Sequence, residues 1–171
     1  MWQFASFLFW PHLHHRGWTP LSVVPGYPST WLRNRADQLE GDLKQYVYDV
    51  VGYIMEVYKG LPCGLPEYIY QEAFAKKLKK NGIDPHKEYR HYPTFEGKQL
   101  ESYLKMDFMV EKSRGNIIVE TKAIENLGPH ERQQLFSYMI GTEFPIGILV
   151  NFATYPKAQI EKYYFDSKPL L

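Results

Sequence analysis

The sequence predicts an α/β (α+β) fold in which helices flank a central mixed β-sheet. Residues 42–59 form a long amphipathic segment, which is typical of a helix that covers one face of a sheet. The strand-like runs 103–110 and 117–123 are joined by a turn-like segment and predict a hairpin. One predicted helix separates the second run from the apolar strand 146–152, which favours a parallel βαβ crossover. The sheet should therefore contain both antiparallel and parallel neighbours.

Each of the three predicted helices has a recognisable start or stop signal or an apolar face. Asp42 can cap the first helix. Pro66 suits the first turn of the second helix, and Gly82 suits its end. The third helix covers residues 130–141. The apolar stripe of the first helix comprises Leu43, Val47, Val50, Val51, Ile54 and Val57.

A further strand signal lies at residues 86–95. Pro93 interrupts it, which indicates a sheet edge or a strand end. The tripeptide Glu96-Gly97-Lys98 then forms a turn before the long strand that contains Asp107. The predicted elements end with the strand at 146–152.

Length and composition indicate one domain outside the membrane. The chain has 171 residues, of which 44% are hydrophobic, and this length can bury a sizeable core. No apolar run approaches the roughly 20 residues that span a bilayer. Cys63 is the only cysteine, which excludes an internal disulfide and fits a reducing compartment such as the cytoplasm. No Cys–His signature surrounds Cys63, so an incidental thiol is favoured over a nucleophile.

The first 36 residues differ in composition from the rest of the chain. They hold all four Trp residues and four of the twelve Pro residues, and the first acidic residue is Asp37. No helical or strand period persists across them. We therefore predict a poorly ordered, aromatic and Pro-rich extension at 1–36 and a folded domain at 37–171. A partner-binding arm with Trp anchors is the alternative. The His12-x-His14-His15 group lacks a Cys or carboxylate neighbour for a metal site.

The charge balance of the domain is slightly acidic. The whole chain has 20 basic and 19 acidic residues. The extension contains three of the basic residues and none of the acidic ones, which leaves 17 basic and 19 acidic residues in the domain. A slightly negative net charge is not typical of a protein that binds DNA tightly and non-specifically. A bound cation would nevertheless reverse the local field at a cluster of acidic ligands.

Asp107, Glu120 and Lys122 form the strongest candidate site. Side chains two apart on a strand share a face, so Glu120 and Lys122 should point the same way, and the hairpin can place Asp107 beside them. Two carboxylates and a lysine suit a hard divalent cation and a nearby activated water. The apolar run 117–119 leads directly into Glu120, where a charge is costly without a partner or a metal. The alternatives are a solvated sheet face and an ion-pair network.

On the second predicted helix, Glu67 lies on the face that can reach the end of the sheet. The residues that share this face at three- and four-residue steps are Tyr70, Gln71, Phe74 and Leu78. Glu72 points about a quarter-turn or more away, so it ranks below Glu67 as a ligand. On the third helix, one face carries Gln134, Ser137, Tyr138 and Gly141.

Four motifs occur in an order that resembles a known family. In chain order they are Gly64-x-x-Glu67-x-x-Tyr70, Asp107, Glu120-x-Lys122, and Gln134 with Tyr138 on the third helix. Together they resemble the GxxExxY family, a branch of the PD-(D/E)XK nuclease-like superfamily. The likeness covers roughly residues 39–152.

The resemblance implies a restriction-endonuclease-like core with a divalent-metal site. Asp107 and Glu120 match the ligands of Mg²⁺ (or Mn²⁺), and Lys122 matches the catalytic lysine. Glu67 matches a helix carboxylate that completes the metal site and assists catalysis. Gln134 matches a catalytic-site glutamine of the later helix.

The implied function is metal-dependent hydrolysis of phosphodiester bonds in nucleic acid, either DNA or RNA. The alternative is a catalytically inactive nuclease-fold module that binds nucleic acid or a protein partner. The complete Asp, Glu and Lys set argues against that alternative. Small nucleases of this type often pair to cut two strands, so a homodimer is an option that the resemblance leaves open. For Tyr70 and Tyr138 the resemblance implies packing or substrate contact, and His130 is interpreted as a loop or cap residue rather than a general acid.

Overall fold

The structure is a computed structural model that describes residues 32–33, 41–111 and 115–165. The predicted N-terminal extension lies outside these ranges, apart from Leu32–Arg33, which form the short strand β1. The division into an extension at 1–36 and a domain at 37–171 therefore stays a prediction.

Three helices and eight strands are present in the described residues. The helices are α1 (Gly41–Gly60), α2 (Glu67–Lys80) and α3 (Pro129–Thr142). The strands after β1 are β2 (His86–His91), β3 (Thr94–Phe95), β4 (Lys98–Gln99), β5 (Leu104–Val110), β6 (Ile117–Lys122), β7 (Ile146–Asn151) and β8 (Gln159–Phe165). The three predicted helices are confirmed to within one or two residues at each end.

Six strands form one mixed sheet in the order β1-β8-β7-β6-β5-β2. β6 and β7 are parallel, with Lys122 beside Asn151, and every other pair of neighbours is antiparallel. α3 connects β6 to β7, so the predicted βαβ crossover and the α/β (α+β) fold class are confirmed. The carboxyl ends of β6 and β7 meet at one end of the sheet, and the start of the antiparallel β5 lies at that same end.

Helices cover both faces of the sheet. α1 and α2 pack on one face, where Ile54 and Phe74 join Phe108 in a buried cluster. α3 packs on the other face, where Leu135 and Met139 are buried in a second cluster. A Cβ atom on Gly147 of β7 would lie 2.5 Å from the Met139 sulfur, so glycine allows α3 to approach the sheet closely. In the described ranges, no helix combines the length and the apolar character that crossing a bilayer requires.

The predicted strand at 86–95 divides at Pro93. β2 ends at His91 and lies at the edge of the main sheet, while β3 pairs with β4 in a separate two-stranded ribbon. Pro93 has no backbone N–H for the ladder, which favours a break at this point. Glu96 and Gly97 have φ values of 50° and 74°, the positive angles that a two-residue hairpin turn requires.

Candidate active site

Asp107 occupies a point where the regular alternation of β5 breaks. Met106 packs with the cluster beneath α3, whereas Phe108 packs with the cluster beneath α1 and α2. In an unbroken strand these two side chains would share one face. Glu88, which the β2–β5 register places opposite Asp107, has a left-handed φ of 54°. Backbone outliers of this kind concentrate at functional sites.

Asp107 is held by the residue that separates the two charged positions of β6. Its Oδ2 accepts hydrogen bonds from the backbone N–H of Thr121 (2.8 Å) and from the Thr121 hydroxyl (2.7 Å). Thr121 is fully buried, and a low local dielectric strengthens bonds to a charged acceptor. The two bonds therefore fix the Asp107 carboxylate relative to β6.

Glu120 and Lys122 lie on the same face of β6 and form an ion pair. Lys122 Nζ lies 2.7 Å from Glu120 Oε1, and the Glu120 and Lys122 side chains are only 2% and 16% exposed. The second carboxylate oxygen, Glu120 Oε2, is buried and makes no hydrogen bond of normal geometry among the described residues, although the Asp107 backbone N–H lies close enough to the carboxylate to lower its pKa. A buried charged oxygen without a partner is costly, and a bound ion is one of the usual reasons for its presence.

The pKa values of both partners are shifted upward. Burial and then the Asp107 charge raise the pKa of Glu120 to about 7, although Lys122 opposes this shift. Burial by itself lowers the pKa of Lys122, but the Glu120 hydrogen bond and the surrounding negative charges raise it overall. Lys122 is therefore a cation at neutral pH. The positive charge of Lys122 is not enough to offset the free-energy cost of ionising the buried Glu120.

Glu67 begins α2 and lies within electrostatic reach of the residues on β5 and β6. Its partly buried carboxylate accepts a hydrogen bond from Gln71 Nε2 at 3.1 Å. Burial and the Asp107 charge raise the pKa of Glu67, while Lys122 and the Ala123 backbone N–H oppose that rise. The first turn of a helix also favours a carboxylate. α2 thus adds a third carboxylate to this end of the sheet.

Gln134 of α3 is linked to the site through Tyr138. Its Nε2 donates a hydrogen bond to the Tyr138 hydroxyl at 2.8 Å. Burial raises the pKa of Tyr138, and the negative charges of Glu120 and Asp107 add to the shift. The phenol therefore lies within electrostatic reach of the carboxylates, on the side of the sheet that α3 covers.

The remaining sequence candidates lie apart from the carboxylates. The fully buried Tyr70 ring stacks on Phe152 at 4.7 Å, and its hydroxyl donates to the Pro62 carbonyl at 2.6 Å. Tyr70 therefore packs the loop before α2 against the sheet. Glu72 pairs with a lysine on the exposed side of α2, and His130 is exposed at the start of α3.

Three uncharged residues that were not predicted as site residues shape the site. Thr121 binds Asp107, and Gln71 binds both Glu67 and Thr121. Asn151, fully buried at the end of β7, bonds both the N–H (3.1 Å) and the carbonyl (2.7 Å) of Ile124 and so fixes the chain that leaves β6. Two signals were available in the sequence. Thr121 separates two charged residues, and Asn151 follows an apolar strand.

The donor set is compatible with a hard divalent cation, although the ligands are not assembled around one point. Among the described residues, no group of three or more His, Cys, Asp or Glu side chains surrounds a possible ion position. Asp107, Glu120 and Glu67 nevertheless offer carboxylate oxygens, the donors that Mg²⁺ prefers. Asp107 raises the pKa of both glutamates, and Glu120 Oε2 is left without a partner in this part of the chain. A cation would relieve both costs.

Comparison with known proteins assigns the family. The family model of the PD-(D/E)XK nuclease superfamily matches residues 44–163, which is most of the chain and includes every candidate site residue. No curated protein matches the chain significantly. The solved structure titled "Crystal structure of SSO0001" aligns with a TM-score of 0.45 and 19% identity, over 79% of this chain and 64% of that chain. The chain thus spans less than two thirds of that protein. The residues that match the family model include β5, β6 and α3. The chain therefore belongs to the PD-(D/E)XK nuclease superfamily.

Proposed function

We propose that this protein is a metal-dependent nuclease that hydrolyses phosphodiester bonds in DNA or RNA. The observation that carries the proposal is the buried pair of Glu120 and Lys122, in which Glu120 Oε2 has no partner in the described residues. An ion pair that served only stability would lose free energy by leaving a charged oxygen unsatisfied. A metal ligand, in contrast, requires an oxygen that no protein donor occupies.

Asp107 and Glu120 would hold the cation, Mg²⁺ or Mn²⁺, and Glu67 would complete the ligand set from α2. PD-(D/E)XK nucleases generally use divalent metals. When bound, such a cation supplies polarisation of a phosphate oxygen and a more acidic water. The Gly64-x-x-Glu67-x-x-Tyr70 motif at the start of α2 supports placing the chain in the GxxExxY branch of the superfamily.

Lys122 would stabilise the negative charge that develops on the phosphate. Its raised pKa keeps the ammonium group protonated at neutral pH, which suits electrostatic stabilisation better than proton abstraction. Glu67 would orient the attacking water, since its partly buried carboxylate already acts as a hydrogen-bond acceptor. Gln134 and Tyr138 would line the side of the site that α3 covers.

Exposed aromatic rings and an arginine in the segment from β2 to the start of β5 support nucleic acid as the partner. The Arg90 guanidinium lies 4.7 Å from the centroid of the Tyr103 ring, just before β5. Phe95, in the β3–β4 ribbon, is 65% exposed. Exposed aromatic rings and arginine side chains stack on unpaired bases. We call Arg90, Phe95 and Tyr103 the aromatic platform.

The alternative is a catalytically inactive module that binds nucleic acid or a protein. Two observations favour it. The described residues contain no assembled group of metal ligands, and Lys122, 2.7 Å from Glu120, already neutralises one carboxylate. In this case the charged residues would form a structural ion-pair network.

Calorimetric titration of the full chain with Mn²⁺ distinguishes the two functions. We expect wild type to bind Mn²⁺ and Glu120→Ala to lose binding. Glu72→Ala is the matched control, since this exposed glutamate of α2 pairs only with a lysine in the described structure. If wild type binds no Mn²⁺, the inactive module is the better description. If it binds, EDTA-sensitive cleavage of labelled oligonucleotides is the next test.

Two further expectations accompany this proposal. A homodimer would let two sites cut two strands, and sedimentation velocity at several concentrations tests for it. A cytoplasmic location is expected from the single cysteine, and fractionation of cells that express the full chain checks it.

A further inference from the structure

One amide group joins two of the candidate metal ligands across α2, β6 and β5. Gln71 Nε2 lies 3.1 Å from Glu67 Oε1 and 3.0 Å from Thr121 Oγ1. The Thr121 hydroxyl in turn lies 2.7 Å from Asp107 Oδ2. The chain of contacts therefore runs from Glu67 through Gln71 and Thr121 to Asp107.

The chemistry of the four groups fixes the direction of every hydrogen bond. A carboxylate only accepts, so the Gln71 atom that faces Glu67 must be the NH₂ group, which has two protons to donate. One proton goes to Glu67 and the other to the Thr121 oxygen. The single hydroxyl proton of Thr121 is then directed to Asp107. No other proton arrangement satisfies all three contacts while both carboxylates are ionised.

Burial makes this chain of bonds rigid. Thr121 is fully buried, and Gln71, Glu67 and Asp107 are partly buried. Hydrogen bonds to charged acceptors are stronger in such surroundings, and bonds in series strengthen one another. Glu67 and Asp107 belong to different elements, so without these bonds only backbone packing would set the distance between them.

We propose that Gln71 and Thr121 are positioning residues that fix the Asp107 and Glu67 carboxylates relative to each other for the binding of a divalent cation. This inference rests on the proposed metal-dependent function and adds two residues to its machinery. Outer groups that orient metal ligands typically change metal affinity about 10- to 100-fold when they are removed. Neither residue needs to touch the cation or the substrate.

Two substitutions remove the bonds and keep the shape of the side chain. Thr121→Val deletes the hydroxyl, and Thr121→Ser restores it. Gln71→Met deletes both donors in a chain of similar length. Gln45→Met is the matched control, because Gln45 makes the same four-residue contact on α1, with Asp49 Oδ1 at 2.8 Å, on an exposed surface.

The experiment measures Mn²⁺ affinity by calorimetry and thermal unfolding without metal, both on the full chain. We expect Thr121→Val and Gln71→Met to bind Mn²⁺ about 10- to 100-fold more weakly than wild type. Thr121→Ser and Gln45→Met should bind with the wild-type affinity. A purely structural role would lower the melting temperature of Thr121→Val and leave the affinity of the folded protein unchanged.

Mn²⁺ binding by wild type tests the proposed function, and the affinities of the two variants test the positioning role. If wild type binds no Mn²⁺, both the proposed function and this inference are overturned. If wild type, Thr121→Val and Gln71→Met bind equally well, only the inference fails. Should Thr121→Val not fold, Gln71→Met decides the question, because Gln71 lies on a partly exposed helix position that tolerates an apolar chain.

Discussion

At the scale of single residues, Glu120 carries a cost that the rest of the fold must offset. Its carboxylate is buried, one oxygen has no partner in the described residues, and burial raises its pKa to about 7. We expect Glu120→Gln to leave the stability of the metal-free protein unchanged or higher, because the raised pKa means that the ionised carboxylate disfavours the folded state, and because the amide keeps an acceptor for Lys122. The same change should abolish Mn²⁺ binding.

Urea unfolding and Mn²⁺ calorimetry on one preparation check the Glu120→Gln prediction. Glu72→Gln, on the exposed side of α2, is the control and should alter neither result. A clear loss of stability in Glu120→Gln would contradict the prediction, since it would mean that the charge stabilises the fold without any cation.

Substitution of Lys122 separates the proposed metal binding from the proposed catalysis. Lys122→Met should keep Mn²⁺ binding or strengthen it, because a competing cation disappears from beside Glu120. It should lower kcat by about 10²- to 10³-fold, the usual loss when one group that stabilises transition-state charge is removed. Lys122→Arg should recover part of the rate. An unchanged kcat in Lys122→Met, measured with a labelled oligonucleotide, would remove Lys122 from the catalytic machinery.

At this scale the sequence predicted the charged residues but not their uncharged neighbours. Glu120 and Lys122 share a face because a strand alternates, and this follows from spacing alone. Gln71 and Thr121 are 50 residues apart, and only the packing of α2 against β6 brings them within 3.0 Å. No local pattern contains that contact. The break in alternation at Asp107 could not be predicted either, because sequence periodicity predicts that side chains keep alternating between the two faces along the whole strand.

At the scale of secondary-structure elements, a charged network fastens α3 to β8. Arg132 of α3 binds both carboxylate oxygens of Glu161 at 2.8 and 2.6 Å, and the Tyr163 hydroxyl donates to Glu161 at 2.5 Å. Burial favours a higher pKa for Glu161, but the bonds from Arg132 and Tyr163 outweigh it and lower the pKa below the ordinary value of 4.5. This lowered pKa stabilises the folded state above the unfolded pKa, and the stabilisation is lost as the pH falls through the folded pKa.

Glu161→Gln should therefore destabilise the protein at neutral pH and reduce its sensitivity to acid. We expect a loss of about 2 kcal/mol at pH 7, the scale of a hydrogen bond to a charged group. The difference from wild type should shrink as the pH falls below about 4.5, because the wild-type carboxylate becomes protonated. Urea unfolding between pH 3 and pH 7 measures both effects. A difference that is constant with pH would contradict the assignment.

Among the elements, β8 shows where sequence patterns fail. Three of its seven residues, Gln159, Glu161 and Lys162, are polar. Glu161 shares a face with the buried Tyr163, so β8 has no apolar alternation that predicts it. The strands β6 and β7 were predictable because they are buried on both faces and therefore almost continuously apolar, and β5 was predictable from its strand-like alternation. Pairing with β7, which is itself buried, selects the strand form for residues 159–165.

The β3–β4 ribbon and its surroundings carry a prediction about substrate. Phe95→Ala and Tyr103→Ala should each weaken binding of a single-stranded oligonucleotide by about 1–3 kcal/mol, the usual value for one stacked base. Tyr155→Ala is the control, since Tyr155 is 84% exposed and lies outside the aromatic platform. Fluorescence anisotropy with Ca²⁺ in place of Mg²⁺ measures binding. Equal affinities for all three variants would remove the aromatic platform from substrate recognition.

At the scale of the whole molecule, the mixed sheet brings the candidate site residues to one of its ends. The parallel step from β6 to β7 brings Lys122 beside Asn151, and the antiparallel hairpin brings the middle of β5 to the end of β6. α2 on one face supplies Glu67 and Gln71, and α3 on the other supplies Gln134 and Tyr138. The site thus draws on five elements. Loss of the sheet or of the helices on either face would therefore disrupt it.

The same layered arrangement predicts what removal of residues 1–36 should do. The buried hydrophobic residues of the described structure run from Tyr46 to Tyr163, and the family match covers 44–163. Of residues 1–36, the described structure includes only β1, a two-residue strand that pairs with β8 at the sheet edge. A chain that begins at residue 37 should therefore fold, melt within a few degrees of the full chain and bind Mn²⁺ equally well. Circular dichroism melting and calorimetry test this. A truncated chain that stays unfolded would show that the first 36 residues complete the core and are not an extension to it.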